Sequence, residues 1–166
     1  MAKEYQNAVL ICVIISVVAA VGIAIGFFFK LPLVVVFLML PAVLYQIYRT
    51  EGVSTKIASI GMLIVLAAEA VLIIGNINFN LASLLGGAER RVGGYRIPLG
   101  DAKTVGPLII ALLSGILMRR TGGKYTIWLA IVILISSIGL LYTLDPDIFS
   151  RLFRSGIVEE GIRRIR

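Results

Sequence analysis

Glu69 is the one acid in the stretch 57–77, IASIGMLIVLAAEAVLIIGNI, 21 residues that are otherwise almost wholly apolar. A carboxyl in such a setting has two chemical uses. It can bind and release a proton or hold a small cation, or it can stay protonated and donate a hydrogen bond that fixes helix register. On a 3.6-residue period its face carries Gly61, Met62, Val65, Ile73 and Asn76, with Asn80 in line, a polar track toward one end of the helix. Small residues, Ala58 and Gly61, lie on the other side of the acid. Ser136 and Ser137 in a later apolar run, together with Ser114, are the hydroxyls that sequence offers as partners. The candidate proton, ion or helix-register site is thus Glu69, Asn76, Asn80, Ser136 and Ser137.

Such a site requires lipid around it, and the composition supplies the reason to expect lipid. Of 166 residues, 59% are apolar and 15% charged, with a mean hydropathy of +1.01. A soluble domain averages ~45–50% and ~25%. The apolar residues fall in blocks at 8–29, 33–48, 57–77, 103–118 and 126–144. A helix rising ~1.5 Å per residue needs about 20 residues to cross a ~30 Å hydrocarbon core. The fold class expected is an all-α integral membrane protein, with a five-helix transmembrane bundle over 1–144 and an amphipathic, basic tail over 145–166. The fourth span is short: 105–118 holds 14 residues, and it reaches across only if Lys103 and Arg119 snorkel. Its alternative is a re-entrant segment.

Between and along these spans the sequence marks seams and turns. Ala8, Cys12, Ser16, Ala20 and Ala24 recur every four residues, and Gly22 and Gly26 form a GxxxG. Small residues at that spacing let a second helix approach closely, either within the chain or from a partner. The 22-residue run they sit in is too long for the ~7–15 residue apolar region of a signal peptide. Pro32 suits a helix first turn, and Pro41 interrupts the second span. Gly93-Gly94, flanked by short alternating runs, predicts a small basic β-hairpin. Asp145-Pro146 predicts the start of a surface helix with Arg151 and Arg154 on one side. These arginines, with Arg119, Arg120 and Lys124, are the expected contacts to lipid headgroups. Arg119–Lys124 also echoes Arg49-Thr50-Glu51-Gly52, as two helical hairpins related by duplication would. Basic residues divide six against seven between the two membrane sides, so the positive-inside rule assigns no orientation.

Much chemistry is excluded. The chain has no histidine, which removes Ser-His-Asp and Cys-His catalysis, His-ligated haem and His-containing zinc sites. Gly86-Gly87 and Gly93-Gly94 lack the spacing of nucleotide-binding loops. The net charge of +7 sits in loops beside the bilayer, which argues for lipid and against nucleic acid. Pro98-Leu99-Gly100-Asp101 resembles, over three or four residues, the Gly-Asp motif of intramembrane aspartyl proteases. That family has Gly where this chain has Pro98, and its chemistry needs two carboxylates where only Glu69 could face Asp101. The expectation is therefore a non-enzymatic, multi-pass protein of the cell membrane with no cofactor. It would act as a subunit or assembly component of a larger membrane complex, in contact with other subunits or with itself. The alternative is a proton- or ion-coupled transporter or channel component using Glu69.

Overall fold

The computed structural model describes residues 7–76, 91–92, 95–96 and 102–146. Among the described residues there are five helices: α1 (Ala8–Phe29), α2 (Pro32–Arg49), α3 (Val53–Ile74), α4 (Ala102–Arg120) and α5 (Lys124–Leu144). Four of them, α1, α2, α3 and α5, are long and apolar enough to cross a membrane. They mark the chain as a membrane protein. The exception is α4, 19 residues long, in which Lys103, Arg119 and Arg120 crowd the two ends and Pro107 interrupts the apolar run. The fifth span expected from sequence is therefore a helix without the hydropathy of the other four.

The projecting β-hairpin is not supported. What lies there is a pairing of two residues a side, Arg91 opposite Arg96 and Val92 opposite Tyr95. Strands that short cover no apolar surface, and the fold is a helical bundle. The surface helix expected after Asp145 lies outside the described residues.

α2, α3, α4 and α5 form a ring in which each helix packs on the next, and α5 closes back onto α2. α1 lies outside this ring, packed on α2 and α5. The turn from α1 to α2 is made by Lys30, in left-handed conformation at φ 53° and ψ 39°, with Pro32 opening α2. Close packing of α1 depends on missing side chains. A Cβ added at Gly22 would stand 2.7 Å from Leu38 Cβ, and one at Gly26 would run into Val35. Gly139 of α5 makes the same allowance for Ile23.

The buried line of α1 is Ala8, Cys12, Ile15, Ala19, Gly22 and Gly26. It alternates steps of four and three, while a strict four-residue stripe advances 400° a step and drifts round the helix. Ser16 is accordingly half-buried, and Ala20 and Ala24 are exposed. Ser16 still ties α1 to α5, accepting a hydrogen bond from Trp128 Nε1 at 3.0 Å while donating to Cys12 O. At the other end Phe27 stacks on Tyr142, ring centroids 5.3 Å apart.

The two hairpins α2–α3 and α4–α5 turn by the same device. Arg49, Thr50, Gly52 and Thr55 match Arg120, Thr121, Gly123 and Thr126, each 71 positions on (120 − 49). Thr50 gives both its N–H (3.0 Å) and its Oγ (2.6 Å) to Gln46 O, and Thr121 does so to Leu117 O. Thr55 and Thr126 each donate to the carbonyl of the glycine three residues before, at 3.0 and 2.7 Å.

Candidate functional site

α3 turns one line of residues into the ring: Thr55, Ser59, Met62, Leu66 and Glu69. The spacing of four and three keeps all five on one face. Glu69 is 1% exposed and packs on α4 where that helix has Gly106. A Cβ added at Gly106 would stand 2.9 Å from the Glu69 carboxyl carbon. Only glycine leaves room for the carboxyl against the α4 backbone.

The carboxyl is not fully satisfied there. Glu69 Oε1 has no hydrogen-bond partner among the described residues. Lys103, one turn before Gly106, is within electrostatic reach of the acid. Its ammonium also donates to Asn76 Oδ1 at 3.2 Å. Asn76 is exposed, just past the end of α3, and takes the left-handed φ of 46° that asparagine tolerates better than most residues. Glu69 lies five residues from Ile74, about 8 Å along the helix. It is therefore nearer the Asn76 end than the middle. Toward the opposite end Leu66 and Met62 are buried beneath it, 1% and 0% exposed. Lys103 and Asn76 are thus the polar side chains toward one end, and buried apolar residues lie toward the other.

No protein family, curated protein or solved structure matches this chain. The function must be read from the site itself.

The serines expected to meet Glu69 do not. Ser114 donates to Ala130 O at 2.5 Å, Ser136 to Val132 O at 2.8 Å, and Ser137 to Pro107 O. Ser136 and Ser137 belong to α5, which stands across the ring from α3 and shares no extended seam with it. Ser137 acts at one remove, anchoring the α4 backbone beside Gly106. Asn80, Arg151 and Arg154 lie outside the described residues. Arg119, Arg120 and Lys124 are exposed at the Arg49 end of the bundle. Arg120 donates to Ser54 Oγ at 2.9 Å. With Lys103 meeting Asn76 at one end of α3 and Arg120 meeting Ser54 at the other, α4 runs the full length of its neighbour.

At the Arg49 end the ring holds further polar groups that hydropathy alone hides. Gln46 is fully buried, and neither its Oε1 nor its Nε2 has a hydrogen-bond partner among the described residues. Arg49 is 4% exposed, its guanidinium 5.1 Å from the centre of the Tyr125 ring and 5.8 Å from that of Tyr45. Ser59 donates to Thr50 Oγ at 3.3 Å and to Thr55 O at 3.0 Å. Among the described residues no three His, Cys, Asp or Glu side chains gather to hold a metal. The chemical group on offer is a single buried carboxyl close to a lysine near one end of the bundle.

Proposed function

We propose that this chain is a non-enzymatic component of a proton- or ion-coupled transporter or channel of the cell membrane, with Glu69 as the coupling acid. The observation that carries the reading is a carboxyl buried to 1% whose Oε1 has no hydrogen-bond partner among the described residues, with Lys103, itself bonded to Asn76, within electrostatic reach. A bare polar atom in an apolar seam costs about 1–3 kcal/mol, a cost that a proton- or ion-binding role would account for. In this reading α4 also crosses the membrane, since it is coextensive with α3. Gly106 and Pro107 set the backbone against which the carboxyl works, and Lys103 guards its approach. Proton entry into dye-loaded vesicles containing the protein tests the proposal. Flux above the protein-free leak that depends on Glu69 supports it, and wild-type vesicles no leakier than empty ones would end it.

A second reading, that the chain is a subunit of a larger membrane assembly, rests on α1. Ala20 and Ala24 form a small-residue patch on its outer face, beside the half-buried Ser16, where a partner helix could approach closely. Ala20→Leu is then expected to release copurifying chains in mild detergent while leaving the unfolding temperature unchanged. A wild-type protein that elutes alone would remove this reading.

A further inference from the structure

The two matched turns meet at the Arg49 end and border a half-open cavity of ≈330 Å³. That is near the lower end of ligand pockets, ~300–1,000 Å³. Arg49 and Arg120 line it, with Thr50, Thr121, Thr126 and Glu51. We propose that this cavity is a binding site for a phosphate group, and that an anionic lipid headgroup supplies it.

The charge balance of the walls argues for an anion. Arg49 and Arg120 against Glu51 leave a net +1. The helix ends add to it unequally. The C-terminal ends of α2 and α4 and the N-terminal end of α5 border the cavity, with the start of α3 just beyond it. At the C-terminal ends, Thr50 and Thr121 spend both their N–H and their hydroxyl on the carbonyls of Gln46 and Leu117, which mutes the negative pole. At the N-terminal end, Gly123 before α5 gives no side-chain cap. The first-turn amides keep their donors and the positive pole faces the turn. Thr126 strengthens the bias, for its hydroxyl proton goes to Gly123 O and leaves the neighbouring N–H groups uncovered. Two guanidiniums beside the uncapped start of α5 match a phosphate better than a carboxylate, since a phosphate offers more acceptor oxygens.

Position favours lipid as the source. Arg119 and Lys124 are exposed on the same rim, outside the cavity lining, where they would draw anionic headgroups toward the opening. A lone inorganic ion would leave most of ≈330 Å³ unfilled.

Titration of the full chain in neutral detergent with short-chain phosphatidylglycerol, glycerol phosphate, inorganic phosphate and short-chain phosphatidylcholine tests this, read by the shift in unfolding temperature. Saturable stabilisation by phosphatidylglycerol is expected, weakened about tenfold in Kd by Arg120→Gln, the loss of one charge-assisted contact. Arg119→Gln should change it less than about twofold, as a rim charge beyond the cavity does. Arg120 is exposed, so its variant folds; Arg49→Gln serves as a second probe wherever it folds. Binding of soluble phosphates but not of phosphatidylglycerol would uphold the phosphate site and overturn its lipid source. Equal loss in Arg119→Gln and Arg120→Gln, equal stabilisation by phosphatidylcholine, or no saturable binding would overturn the site.

Discussion

Glu69→Gln is expected to bring proton flux through the reconstituted protein down to the leak of protein-free vesicles, with the fold intact. The amide keeps the volume and hydrogen-bonding shape of the acid but binds no proton in the working range. Its neighbour on α4 is Gly106, so a side chain of the same size meets no new clash. Stability should stay within about 1 kcal/mol of wild type, as for other volume-conserving buried exchanges. If the carboxyl only fixed helix register, the amide would serve as well and flux would not change. Fluorescent pH measurements on vesicles of equal protein content separate the two. Wild-type flux that persists in Glu69→Gln removes the acid from the pathway.

Gly106→Val should cost about 1–3 kcal/mol of stability, the range for overfilling a packed seam. Its Cβ would stand 2.9 Å from the Glu69 carboxyl carbon, and the acid, 1% exposed, has little room to retreat. Because the obstacle is the end of a single side chain, Glu69→Ala in the same protein is expected to restore most of the loss. The coupling between the two changes should reach about 1–2 kcal/mol in a double-mutant cycle. Gly115→Ala on the same helix is the control. Nothing lies within 4 Å of its added Cβ, so it should change stability by less than about 0.5 kcal/mol. Reversible unfolding in detergent measures all four proteins, and additive effects at Gly106 and Glu69 would show that the seam is not the cause.

The helices are legible in the sequence because uninterrupted apolar blocks in lipid leave the backbone one way to satisfy itself. So is Glu69, since a single acid in such a block stands out. What surrounds it is not legible. Periodicity shows which residues share a face of α3, but not which helix that face meets. Ser136 and Ser137 looked like partners because they are polar and deep, yet α5 stands across the ring and its hydroxyls close on carbonyls. The true neighbour, Gly106, has no side chain to signal anything, and it sits in the helix with the weakest hydropathy. Gln46 and Arg49 were masked likewise: near the end of a span, polar residues read as interface, whereas the ring buries both. The four-residue echo between the two turns carried more than its length suggested, since the matching threonines make matching hydrogen bonds.

The depth of Glu69 has an electrical consequence. A proton that reaches it from the Asn76 end travels about 8 Å of a ~30 Å insulating layer, roughly a quarter of the voltage drop. A full crossing is worth ~2.3 kcal/mol per 100 mV, so occupancy of the acid would change only about threefold over that span. With Met62 and Leu66 packed beneath it, the acid in this conformation would face the Asn76 end alone, and a full crossing would require that packing to open. Between openings its occupancy would follow the acidity of that side, with only a modest bias from the membrane potential.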